Sequence, residues 1–178
     1  MQTIEYRAAR AQSGVWAEGI YPRAATLGLV TGLRASVGMT VLGLSAQRGA
    51  AEVPTGRPGG VWRLLRARTA LPLLALIAAG EIYADKQPWV PDRTSLLPLG
   101  GRVVLGALVG ASVGALSGQR AQPRLVGALL GAAGAALGAF AGTRSRKWLA
   151  RRTSVPDRIW GAAEDGLTLL LGLAAMPR

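Results

Sequence analysis

The chain contains no cysteine and no histidine, and only one phenylalanine among its 178 residues. Without cysteine there are no disulfides and no thiolate metal sites. Without histidine the usual imidazole ligand, and the side chain that most readily gains and loses a proton near neutral pH, are missing too. These absences argue against an enzyme, so the chain is read as having no catalytic residues, no metal and no cofactor. Acidic residues are also few: 9 Asp and Glu stand against 21 Lys and Arg, a net charge of +12. In a soluble protein that balance would point to nucleic acid, but a nucleic-acid reader needs a contiguous basic face. Here apolar segments divide the basic residues into separate clusters. No nucleic-acid partner is expected, and the clusters read as span flanks that face anionic lipid headgroups. A secretory leader is not expected either, since residues 1–23 are polar and lack an apolar core.

What is present is apolar. Half of the residues are hydrophobic and 17% are charged, too apolar a balance for an ordinary soluble domain of this size. Ala, Gly and Leu fill five long stretches, which predicts an all-α polytopic bundle of about five spans behind a polar tail, residues 1–23. The first span is expected at about 24–46, interrupted by a Gly32-Leu33-Arg34 step. At 1.5 Å per residue it would reach about 34 Å, enough to cross the hydrocarbon layer. Residues 47–60 collect Gly and Pro and read as a loop, and 61–68 (VWRLLRAR) as an amphipathic interfacial turn. Further spans are expected at about 69–85, 99–117, 125–142 and 159–175. They are separated by a Pro-rich break after Asp85, a short polar link at 118–124, and a basic segment at 143–158.

Two glycine patterns predict how the helices pack. Gly106, Gly110, Gly114 and Gly118 repeat every four residues, and Gly127, Gly131, Gly134, Gly138 and Gly142 form a second stripe. Such small-residue faces let helix backbones approach closely in lipid, where no hydrophobic force drives helices together. An unused glycine face would invite a homo-oligomer. Short echoes, such as Val90-Pro91-Asp92-Arg93 with Val155-Pro156-Asp157-Arg158 and Ala35-Ser36-Val37-Gly38 with Ala111-Ser112-Val113-Gly114, suggest an eroded internal duplication.

The charges inside the spans carry the functional question. Alternating five spans across a membrane brings Arg34, Glu81, Asp85, Arg102, Glu164 and Asp165 toward one leaflet. Glu81 and Asp85, four residues apart, share a helix face and call for cations, with Arg34 and Arg102 as natural partners. An unpaired charge near the bilayer centre costs roughly 3 kcal/mol on insertion scales. Lys86 borders the same group. Two readings stay open: a structural ion-pair network in a scaffold or accessory protein, or a small transporter or channel in which the same groups line a path for an ion or small polar solute. A lipid-acting enzyme is a third, with no spacing that specifies it. A modest excess of basic residues on the side of the tail favours a cytoplasmic N-terminus.

The set Gly32-Leu33-Arg34, Glu81-x-x-x-Asp85-Lys86-x-Pro88, Pro91-x-Arg93, Gly101-Arg102-x-x-x-Gly106 and Glu164-Asp165 resembles DUF4126, a bacterial family of small integral membrane proteins of unknown function. The likeness runs from about Leu27 to Ala175, and its most specific part is the acid-x-x-x-Asp-Lys-x-Pro element. The resemblance implies a multi-pass helical protein of the bacterial cytoplasmic membrane and brings no agreed activity with it. The N-terminal tail lies outside the likeness.

Overall fold

The computed structural model describes residues 19–48, 60–84, 94–117 and 121–176. Asp85, Lys86 and the tail before residue 19 lie outside them. All regular structure among the described residues is helical: α1 (19–33), α2 (Ala35–Gln47), α3 (Gly60–Leu65), α4 (Ala70–Ala84), α5 (Leu96–Gly114), α6 (Ala121–Arg152) and α7 (Asp157–Ala174), with a 3-10 turn at Ala115–Ser117 after α5. Three of these helices open alike. Pro72, Pro98 and Pro123 are each the third residue of α4, α5 and α6. Proline suits the first turn, because the N–H it lacks would have no partner inside the helix there.

Two helices are long and apolar enough to cross a membrane, Leu96–Ser117 and Ala121–Arg152, and only 33% and 39% of their most apolar windows is buried in the protein. Ala70–Glu81 is a shorter apolar helix. The outer surface is correspondingly oily, with Leu96 and Leu97 90% and 86% exposed and Leu76, Leu129 and Leu170 also open. Hydroxyls bond back into their own helices, Ser112 Oγ to Leu108 O at 2.7 Å and Thr168 Oγ1 to Glu164 O at 2.6 Å. Few polar groups are thus left facing outward from these helices.

The antiparallel pair α5–α6 forms the central layer, and glycines set its spacing. A Cβ placed on Gly110 would lie 2.0 Å from Gly127 O, one on Gly127 2.3 Å from Gly110 O, and one on Gly131 2.1 Å from Gly106 O. On the other side of α6 lies α1, running parallel to it. Cβ atoms on Gly28 and Gly32 would fall 2.3 Å from Gly131 O and 2.0 Å from Ala135 O, and those on Gly134 and Gly138 would meet Ala25 O and Leu29 O. Leu27 of α1, Val41 and Leu42 of α2, Trp62 and Leu65 of α3, and Val109 and Val113 of α5 form an apolar core.

The first expected span is not one rod. Residues 24–46 divide at Arg34, which is extended (φ −144°, ψ 112°) between two helices. The chain reverses there. A Cβ on Gly38 would lie 2.0 Å from Thr31 Oγ1 and 3.3 Å from Leu27 O, and one on Gly172 would be within 4 Å of Val30, Val37 and Val41 together. In a continuous helix Val30 and Val41 would stand about 16 Å apart. Thus α1 and α2 form a tight hairpin, and residues 19 and 47 end on the same side of the bundle. The hairpin closes at Gly38 because that position has no side chain to collide with Thr31.

Three further differences follow from local chemistry. Residues 19–23, expected in the tail, already belong to α1. The basic segment after Gly142 is helical through Arg152, because no Gly or Pro interrupts it before Pro156 and cations at a helix C-terminus favour the dipole. In α3, Trp62 and Leu65 are buried while Leu64 and the arginines face out, and Trp62 Nε1 donates to Ser112 O at 3.2 Å. Trp62 therefore plugs the core instead of anchoring at a headgroup layer. One echoed motif also occupies unlike places: Ala35–Gly38 opens α2 while Ala111–Gly114 closes α5.

Candidate functional site

Breaking a helix in apolar surroundings exposes backbone groups that have no intrahelical partner: N–H groups at the start of one helix and C=O groups at the end of the other. Water would normally satisfy them, but here two side chains do. Glu81 of α4 accepts the Ala35 N–H on Oε1 at 2.9 Å, the Ser36 N–H on Oε2 at 3.0 Å, and the Ser36 hydroxyl on Oε2 at 2.7 Å. Arg102 of α5 donates from Nη1 to Gly32 O at 2.9 Å and to Leu33 O at 3.3 Å. The two caps meet, Arg102 Nη2 standing 3.2 Å from Glu81 Oε1. Val37 N–H bonds to Arg34 O at 3.2 Å, so the first three N–H groups of α2 are all occupied.

The signs match the helix dipoles. A carboxylate sits at the partly positive start of α2, and a guanidinium at the partly negative end of α1. Arg102 is 6% exposed, as is Arg34. A guanidinium suits this position because its fork reaches two carbonyls and a carboxylate at once, which a lysine ammonium cannot do in a fixed plane.

Two more pairs complete the group. Arg34 Nη2 donates to the Asp165 carboxylate on α7, whose side chain is 34% exposed. Its neighbour Glu164 faces α6, 3.9 Å from Arg146 Nη1. A Cβ at Gly142 would come within 2.8 Å of Glu164 Oε1, so the glycine makes room for the carboxyl. Of the expected sites, Arg34, Glu81, Arg102, Glu164 and Asp165 are gathered at one level: Glu81 bridges Arg102, an expected partner, while Arg34 bridges Asp165 and Glu164 faces Arg146. Sequence reasoning missed Ser36 and Arg146. Arg146 was legible in principle, standing four residues after Gly142 on one helix face.

Among the described residues no group of three or more acidic side chains could hold a metal ion.

The family model described as "Domain of unknown function (DUF4126)" matches residues 23–177. The chain belongs to that family. The match runs from within α1 through α7, and takes in every residue of the three pairs. No curated protein and no solved structure matches this DUF4126 chain. The site's chemistry therefore has to be argued from its own geometry.

Proposed function

We propose that this DUF4126 protein is a non-enzymatic, multi-pass integral membrane protein of the bacterial cytoplasmic membrane, acting as a structural or accessory component. In this reading α4, α5, α6 and α7 cross the bilayer, and α1–α2 enters from one side and returns to it. Arg102 is the seventh residue of α5, so the hairpin tip lies about 9 Å below the start of that helix. Lipid tolerates non-helical backbone at such depth only where protein satisfies it. One observation carries the proposal: the ends of the break are capped by Glu81 and Arg102, with Arg102 buried. The intramembrane charges are engaged in holding a fold together, as a scaffold requires. In this reading the glycine stripes of α5 and α6 serve contacts within the chain.

Site-specific labelling tests the topology, and the absence of native cysteine makes it clean. In intact cells, Gly19→Cys and Arg48→Cys should react from the same side of the membrane and Arg151→Cys from the other. Labelling of positions 19 and 48 from opposite sides would restore a single spanning rod and end the hairpin.

A second reading is supported by the discontinuous helix itself. Transporters place broken helices and their exposed termini at solute sites, and Asp165 is a third exposed. Proteoliposomes separate the two. On the scaffold proposal, flux of protons, alkali cations, halides and small polar solutes should equal that of empty vesicles. Flux that Glu164→Gln or Asp165→Asn abolishes, with insertion intact, would establish transport instead.

A further inference from the structure

A groove of about 430 Å³ lies on α6 beyond the glycine stripe, walled by Phe140, Thr143, Arg144, Lys147, Trp148 and Arg151. Thr94, just ahead of α5, closes its other edge. We propose that this groove binds the phosphate headgroup of an anionic phospholipid. The inference rests on the membrane reading above and names a partner for it.

Depth is the first argument. In the antiparallel α5–α6 pair, Gly106 faces Gly131, Gly110 faces Gly127 and Gly114 faces Pro123, which puts Thr94 level with Thr143. The apolar surface of α5 begins just below that level, at Leu96 and Leu97, and α6 continues above it as a charged helix. The groove therefore straddles the place where acyl chains give way to headgroups, a layer roughly 5–8 Å thick on each side. Chemistry is the second. Phe140, Arg144, Lys147 and Arg151 follow at spacings of four, three and four, so they share one helix face. The bottom of that face is a phenyl ring, suited to the start of an acyl chain. Its upper part carries three cations, and among the described residues no acidic side chain lines the groove. Thr143 adds a hydroxyl that already bonds Ala139 O at 2.9 Å and can accept or turn toward a phosphate oxygen. Trp148 stands at the rim with Arg152 over its ring at 5.5 Å, an amphipathic side chain at the level where tryptophan is enriched. Protein phosphates or nucleic acid would require this surface to face bulk water, and Phe140, 44% exposed beneath it, does not suit them.

Native mass spectrometry of the full chain in detergent, with equal phosphatidylglycerol and phosphatidylcholine, tests the site. The wild type should retain one phosphatidylglycerol in preference to phosphatidylcholine. The triple change Arg144→Gln, Lys147→Gln, Arg151→Gln should lower that preference about tenfold or more, since each cation near an anionic lipid contributes on the order of a factor of five. The control Arg63→Gln, Arg66→Gln, Arg68→Gln removes equal charge on α3 and just beyond it, and should leave the preference intact. Thr143→Trp fills the groove without altering charge and should abolish it, which guards against misfolding of the triple variant. Equal losses in the triple variant and the control, retention in Thr143→Trp, or no preference in the wild type would each overturn the site. Displacement by glycerol phosphate would assign it to a soluble phosphate and overturn the lipid. Carbonate extraction of the wild-type protein from membranes would instead overturn the membrane reading beneath it.

Discussion

Replacing Arg102 by Gln should lower the stability of the protein by about 3–5 kcal/mol, the usual cost of removing one partner from a buried charge pair. The change does three things at once. It takes the donor from Gly32 O and Leu33 O, it leaves the Glu81 carboxylate buried without its cation, and it loosens the joint between α5 and the hairpin tip. Glu81→Gln should cost a similar amount by removing the charged acceptor of Arg102 Nη2 and of the α2 start, although its amide oxygen can still accept one of the two N–H bonds from α2. The double variant should cost less than the sum by about 1–3 kcal/mol, because the two side chains contact each other. Arg102→Lys should not rescue, since a point charge cannot reach both carbonyls and the carboxylate in one plane. Arg34→Gln should be milder, because its bridge to Asp165 joins two side chains and caps neither end of the break. Unfolding by SDS titration in mixed micelles, followed by helical circular dichroism, gives these values. A loss for Arg102→Gln no larger than that for Gly101→Ala, where a Cβ meets nothing within 4 Å, would show that the break does not depend on its cap.

The contrast between Arg102 and Arg34 explains what could be read from the chain. Helical character, the position of α4 near 69–85 and of α7 near 159–175, and the family itself were all legible, because hydropathy and residue spacing are local properties. The reversal at Arg34 was not. The stretch 24–46 is apolar throughout, and a lone arginine inside it looks the same whether the backbone continues or turns. What decides the matter lies 46 residues away in Glu81 and 70 away in Arg102, and only the fold brings them to residues 32–36. Pairing was legible only in part: the shared face of Glu81 and Asp85 pointed to arginine partners, and Glu81 does bridge Arg102, but the Asp165 carboxyl that also reaches Arg34 comes from α7, 131 residues on. The 143–152 segment was misread for a different cause: charge density suggested a loop, although Arg, Lys, Ala and Leu are good helix formers and nothing there breaks a helix. Gly38 had a signal that could have been used. A glycine four residues after an arginine in an apolar run is also what a chain needs when it folds back against Thr31.

Gly131→Ala should be among the most damaging single methyl additions available in this chain. The residue sits where three helices meet, with Gly106 of α5 on one side and Gly28 of α1 on the other. Its own Cβ would fall 2.1 Å from Gly106 O, and the Cβ that Gly28 lacks already points at Gly131 O from 2.3 Å. Both neighbours are backbone, so no side chain can rotate away. Relief requires α5 and α6 to separate along their whole glycine stripe, which would forfeit the close contacts at Gly110, Gly114 and Gly127 as well. In lipid that loss is not offset by hydrophobic association, because the tails are as apolar as the helices. Overpacking of this kind costs about 1–3 kcal/mol in soluble cores, and the backbone obstruction places Gly131→Ala at the upper end. Gly131→Val should prevent a stable α5–α6 pair altogether. The matched controls are Gly80→Ala and Gly166→Ala, helical positions where an added Cβ meets nothing within 4 Å. Those should be neutral or stabilising by about 0.5–1 kcal/mol, the helix preference of Ala over Gly. Measured in the same SDS titration, a Gly131→Ala loss equal to that of Gly80→Ala would mean that the helices do not approach each other through these glycines.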